Sequence, residues 1–205
     1  MAREEVRMRI LITGGSGLIG SHLARAMGAE GHDVVVLSRR PEALRDLPPG
    51  VRAAGWDGES AVACQGLAGL LDGGPPEGVA VVHLAGESVA AGRWTAEKKR
   101  RIRDSRVLSG RALAAAIGRA SVPPRVLLQA SAVGWYGACG DEEVGEDHAP
   151  GEGFLAEVAV AWEQSTAEVE SLGVRRAVVR TGVVLAREGG ALPALVRPSR
   201  WGAGG

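Results

Sequence analysis

The sequence predicts an α/β fold, a doubly wound parallel sheet flanked by helices. Three observations predict it. Met8–Gly20, MRILITGGSGLIG, is a short apolar run that meets a glycine cluster and gives way to a helical pattern. Later runs such as VAVVHL at 79–84 are apolar without alternation, as strands covered on both faces are. Helix-patterned segments follow the first, fourth and fifth of these strands, as crossovers between parallel strands require. At 205 residues the chain suffices for one such domain with a full core, so one domain over 1–205 is expected.

Ile10–Ile12 form the first strand. Gly14, Gly17 and Gly20 follow at three-residue spacing, a turn in which backbone N–H groups can approach a pyrophosphate at the start of a helix. The alternative is a glycine-rich turn without a ligand. Leu18, Ile19, Leu23, Ala26 and Met27 recur at helical spacing, and Gly31 supplies a stop. A second strand, Asp33–Leu37, ends in Ser38, Arg39 and Arg40. Two guanidiniums and a hydroxyl where an acid would hold ribose hydroxyls favour NADP over NAD, because arginine is a planar, multidentate phosphate partner. A solvated basic turn is the plainer reading.

Val51–Asp57 reads as a third strand, and Gly66–Gly78 as a small-residue region without clear periodicity. The fourth strand, Val79–Leu84, feeds Ala85-Gly86-Glu87, whose small residues leave room for a ligand at the sheet's carboxyl edge. His83 inside it reads as a hydrogen-bonded core histidine, and Glu87 just beyond as a site candidate. Thr95 is a plausible N-cap for a helix to about Ile117, with Glu97 and Arg101 placed to pair. Most of Lys98–Arg103 reads as its solvated face, while Arg106 falls on the apolar side.

Arg125–Ala130 is the fifth strand, running into Ser131-Ala132-Val133-Gly134-Trp135-Tyr136-Gly137. An acidic loop, Ala138–Gly153, precedes a helix over Phe154–Leu172 closed by Gly173. Val174–Leu185 contains a sixth strand with Arg180 in its second half. From Glu188 the pattern fades, and the chain stops in Trp201-Gly202-Ala203-Gly204-Gly205, which reads as an interruption.

Composition narrows the function. With 24 basic and 24 acidic residues the formal charge is zero, and the basic run lacks interleaved aromatics, which argues against nucleic acid. Cys64 and Cys139 are too few for a disulfide framework or a zinc site, so no metal is expected and a cytoplasmic, reducing environment is. No apolar run is long enough to span a membrane.

In order, ILITGGSGLIG, VVVLSRRP, VVHLAGESV, GRWTAEKKRRIRDSRV, ASAVGWYG, GFLAEVAVAWE and VVRTGVVL resemble the atypical NADP-binding short-chain dehydrogenase/reductase proteins of the epimerase family. The resemblance implies a Rossmann-type sheet, and a chain lacking that family's C-terminal third. It implies that Gly14, Ser16, Gly17, Leu18, Ile19 and Gly20 hold the NADP(H) pyrophosphate, and that Ser38, Arg39 and Arg40 hold the 2′-phosphate. It further implies that Leu84 and Ala85 line the adenosine region, that Arg106 reaches the cofactor side and that Val184 lies near the nicotinamide half. Helices on the sheet flank pair in this superfamily, so a homodimer is compatible with it.

Working enzymes of the superfamily use a Tyr-x-x-x-Lys pair one helical turn apart, the tyrosine exchanging a proton. Here Phe154 and Val158 stand at those positions, and Ala132 at the usual Ser/Thr position, with Ser131 one residue early. Ser131 and Tyr136 are the remaining candidates for catalysis, although packing at the strand end also accounts for Tyr136. Two functions follow: an NADP-dependent oxidoreductase or epimerase-like enzyme acting by hydride transfer on a small polar substrate such as a nucleotide sugar, or a non-catalytic NADP(H)-binding redox sensor.

Overall fold

The computed structural model describes residues 7–90 and 92–197 and contains a six-stranded, all-parallel sheet. Its strands are β1 (Arg9–Thr13), β2 (Asp33–Ser38), β3 (Val51–Gly55), β4 (Val79–His83), β5 (Val126–Ala132) and β6 (Arg175–Thr181). They lie in the order β3-β2-β1-β4-β5-β6. The chain runs outward from β1 to β3, then returns to β1's other side. The two directions part between β1 and β4, where sheets of this kind leave a crevice at their carboxyl edge.

Residue alternation decides the layers. Ile10, Ile12, Val34, Val36 and Val82 pack with Ala24 of α1 (Leu18–Ala29) on one face. Leu11, Val35, Val81 and Leu127 pack with Leu67 and Leu71 of α2 (Ala61–Asp72) and with Leu113 and Ile117 of α3 (Ala96–Arg119) on the other. Each fully buried aliphatic side chain here stabilises the fold by about 1.5–3 kcal/mol. Burial on both faces is why the strands read as unbroken apolar runs.

Three expectations need correction. Residues 61–72 form α2, capped by Ser60, whose hydroxyl accepts the Ala63 N–H at 3.1 Å. Its buried positions Cys64, Leu67, Ala68 and Leu71 are spaced 3, 1 and 3 apart, a helical stripe muted by intervening glycines. The third strand ends at Gly55, before Asp57. The segment after Gly153 is α4 (Phe154–Gln164) followed by a 3-10 turn over Ala167–Leu172, closed by left-handed Gly173 at φ 78°. The break is local: the Thr166 hydroxyl donates to buried Gln129 Oε1 at 3.0 Å, and Ser165 Oγ folds back onto the Trp162 carbonyl.

Beyond β6, β7 (Leu185–Ala186) and β8 (Gly189–Gly190) form a small hairpin, followed by α5 (Leu192–Val196). The Trp201–Gly205 run lies outside the described residues. Among those described, no helix is long and apolar enough to cross a membrane.

Candidate functional site

β1 delivers the chain into the glycine loop with no slack. Gly14 adopts φ 69°, and a Cβ on it would lie 2.8 Å from the carbonyl carbon and oxygen of Leu84, at the end of β4. Glycine is required there on both counts. At Gly20 a Cβ would lie 2.5 Å from the Gly14 oxygen and 2.6 Å from Gly15 Cα, so the first turn of α1 rests directly on the loop. Gly17 is the N-cap of α1, without a side-chain cap and without an acidic residue in the first turn. The helix therefore presents uncapped N–H groups and the positive end of its dipole, an arrangement suited to an anion.

A cavity of about 470 Å³ opens over this loop. It gathers Gly14, Ser16 and Gly17, then Ser38, Arg39 and Arg40 from the end of β2, and Leu84 and Ala85 from the end of β4. Five other predicted residues do not line it. Leu18 turns toward the hairpin, within 3.3 Å of a Cβ built on Gly189, Ile19 is 43% exposed, and Gly20 sits behind the loop. Val184 accepts the Ala191 N–H at 2.9 Å in the turn before β7. Arg106 lies beneath Gly86, where a Cβ would come 2.8 Å from its guanidinium carbon.

The cavity also takes in Trp56, Asp57, Asp104, Ser105 and Ser109, which sequence reasoning missed. The Asp-Gly pair at 57–58, straight after β3, was the available signal for the first two. On α3, Ser105 and Ser109 form an i, i+4 polar pair on one face of the helix. Asp57 is tied up locally: the Ser60 hydroxyl first, then the N–H groups of Glu59 and Ser60, hold its carboxyl down to about 2.

Glu87 anchors the cavity's lip to α3. Its carboxylate takes Lys98 Nζ at 2.7 Å and Arg101 at 3.4 Å, its N–H donates to Ser105 Oγ, and its carbonyl accepts from Arg106 at 3.0 Å. The hydrogen bond from Lys98 is the main reason its pKa is lowered. Lys98 is thus buried and paired, an exception in a run whose Arg100, Arg101 and Arg103 are exposed, and Glu97 and Arg101 pair at 2.9 Å as expected. The Arg106 guanidinium lies 4.9 Å from the Trp162 ring, and desolvation lowers its pKa.

Ser131 and Tyr136 belong to a second cluster. Ser131 is buried and donates to Glu163 Oε1, and Glu163, buried on α4, takes Arg180 Nε and Nη2, each at 3.0 Å. Arg180 also donates to the Tyr136 hydroxyl at 3.0 Å and lies 3.9 Å from the Trp135 ring centre. Hydrogen bonding to Glu163, first, and to Tyr136 raises its pKa further. Strand register explains the meeting, since Ser131 stands directly opposite Arg180. Tyr136 and Arg180 line a separate cavity of about 960 Å³ with Val178 and Val179 of β6. Glu163 was legible only as a lone acid on the apolar stripe of α4. Phe154, at the head of that helix, packs edge-on against Trp94 with Lys99 Nζ 5.2 Å from its ring centre.

The residues present fit a dinucleotide phosphate. The uncapped start of α1, a loop with no room for a Cβ at Gly14, Gly15 and Gly20, and two arginines on one wall supply N–H donors and positive charge to one cavity.

Comparison with known proteins agrees with this geometry. The model of the NAD dependent epimerase/dehydratase family matches residues 10–196. Epimerase family protein Mb2239 of Mycobacterium bovis is 39% identical over 184 residues, 89% of this chain and 56% of that protein. The crystal structure of human epimerase family protein SDR39U1 (isoform 2) with NADPH aligns with a TM-score of 0.73 and 31% identity, over 97% of this chain and 61% of that one. A nucleoside-diphosphate sugar epimerase from Corynebacterium glutamicum aligns with a TM-score of 0.74 and 35% identity, over 96% and 38%. The chain spans less than two thirds of the length of each of these relatives.

Proposed function

The chain belongs to the NAD dependent epimerase/dehydratase family, and on that premise we propose that its cavity binds NADP(H) for oxidoreductase or epimerase-like chemistry on a small polar substrate. One observation carries the reading: Arg39 and Arg40 share a cavity wall with the uncapped start of α1. Gly14, Ser16 and Gly17, with the N–H groups of Leu18 and Ile19, take the pyrophosphate on a loop that Gly20 backs, and Ser38, Arg39 and Arg40 take the 2′-phosphate. Leu84 and Ala85 face the adenosine side, Arg106 braces the cavity from beneath Gly86, and Val184 belongs to the nicotinamide half. The names of the relatives support the reading, one crystallised with NADPH and another called a nucleoside-diphosphate sugar epimerase. Nucleotide sugars are accordingly the substrate class to test first.

NADP(H), when bound, supplies the hydride donor or acceptor. The protein's own contribution is proton handling at Tyr136, on the separate cavity it lines with Arg180: its oxygen accepts from Arg180, which leaves the phenolic hydrogen to be donated. Ser131, donating to Glu163, holds that pair in place. Cys64 and Cys139 are free thiols, which suits a reducing cytosol.

NADPH and NADH titrations of wild type and Arg39→Ala test the cofactor assignment. A charge-assisted hydrogen bond is worth about 1.5–3 kcal/mol, so Arg39→Ala weakens NADPH about 10- to 100-fold and leaves NADH unchanged. Equal affinities for both coenzymes in both proteins refute it. A second reading, a non-catalytic NADP(H)-binding redox sensor, is favoured by Phe154 and Val158, which cannot exchange or tune a proton. Loss of nicotinamide absorbance on a carbonyl or nucleotide-sugar panel, abolished by Tyr136→Phe, selects the enzyme; tight binding without turnover in a full-length relative as well selects the sensor.

A further inference from the structure

Thr13, at the end of β1, and His83, at the end of β4, are both wholly buried and stand side by side in register. Thr13 Oγ1 lies 2.7 Å from His83 Nδ1. The same oxygen accepts the N–H of Ala85 at 3.3 Å and shares that of Leu84, at 3.2 Å, with the Thr13 main-chain carbonyl at 3.1 Å. A hydroxyl has two lone pairs and one hydrogen. With both lone pairs engaged by main-chain donors, the hydrogen goes to Nδ1, so the neutral ring carries its own proton on Nε2. The Arg106 main-chain carbonyl is close enough to favour a proton on the ring, although Nε2 makes no hydrogen bond of ordinary geometry among the described residues.

We propose that His83 is a positioning residue for the dinucleotide cavity, holding the Thr13 hydroxyl in the one orientation that leaves it a double acceptor for Leu84 and Ala85. Those two residues line the cavity, and the Leu84 carbonyl group is the one against which Gly14 is pressed without room for a Cβ. A change at His83 therefore reaches the glycine loop through Thr13 and Leu84. The affected ligand is the pyrophosphate-bearing coenzyme of the preceding section, on whose reading the binding consequence rests. The geometry of the pair itself does not depend on that reading.

Imidazole nitrogen NMR at pH 7 on the wild-type protein reads the pair directly: the Nε2–H tautomer is expected, and Nδ1–H overturns the proposal. Amide exchange then compares Thr13→Val, which loses the hydroxyl, with Thr13→Ser, which keeps it. The Ala85 amide exchanges at least tenfold faster in Thr13→Val and within about twofold of wild type in Thr13→Ser; unchanged Ala85 exchange in a folded Thr13→Val refutes the role. For binding, His83→Asn places an amide oxygen near the Nδ1 position and retains NADPH affinity within about threefold, whereas His83→Leu loses at least tenfold. Equal loss in the two folded variants overturns the proposal. Wild type failing to bind NADPH refutes the coenzyme assignment alone, since the tautomer and the exchange rates still decide the role of the pair.

Discussion

Gly20→Ala sets local helix preference against tertiary packing. Alanine is favoured over glycine inside a helix by about 1 kcal/mol, so helix propensity alone says the variant gains stability. The structure says otherwise: the added carbon lies 2.5 Å from the Gly14 oxygen, whereas ordinary contacts begin at 3.4 Å. Backbone atoms must therefore retreat by about 0.9 Å, and no rotamer change can absorb that. Overpacking of this kind costs about 1–3 kcal/mol, which offsets the helical gain and leaves a net loss of up to about 2 kcal/mol. Because the retreating atoms are the phosphate-facing loop, NADPH affinity falls at least tenfold as well. Gly66→Ala is the matched control, a helical glycine of α2 with nothing within 4 Å of its built Cβ, and it gains about 1 kcal/mol. Urea midpoints and NADPH titrations of both variants decide the matter. A Gly20→Ala protein as stable as Gly66→Ala, with full NADPH affinity, refutes the close-packed loop.

Burial, ahead of the Arg106 charge, pushes the His83 pKa down to about 4 from 6.5. The unfolded chain binds the proton first, so the histidine's contribution is complete above pH 6.5 and is lost as pH falls toward 4. Of it, about 2 kcal/mol is gone by pH 5. Urea unfolding at pH 7, 6 and 5 shows this fall and shows it reduced in His83→Asn; identical slopes in the two proteins contradict it. Glu163→Gln leaves the half-buried Arg180 without its counter-charge and costs about 1–3 kcal/mol, read as a lower melting temperature with altered Trp135 fluorescence. A Glu163→Gln protein melting with wild type would show that the ion pair adds nothing.

The fold was legible where burial leaves a mark on residue type. Strands covered on both faces exclude polar residues, so β1, β2 and β4 could be read within about a residue of their ends. The glycine loop was legible because sterics force the residue type at Gly14 and Gly20. What the sequence hid is long-range. Lys98 lies in a run of charges and looks solvated, yet the Glu87 carboxylate, eleven residues away, draws it into a buried pair. The end of the α4 helix was hidden because Thr166 is recruited by Gln129, a partner on another element. Ser131 and Arg180 are 49 residues apart in sequence and meet through strand register, which no local pattern announces. Asp57 and Ser105 reach the cavity for the same reason: crossovers, not spacing, bring β3 and α3 to the edge where β1 and β4 end.

A crystal structure grown with NADPH measures the central claim most directly. The account predicts the pyrophosphate against the N–H groups at the start of α1, and the 2′-phosphate within hydrogen-bond distance of Arg39 or Arg40. A coenzyme bound with its adenine ribose away from the end of β2, or a cavity without coenzyme at saturating NADPH, contradicts it.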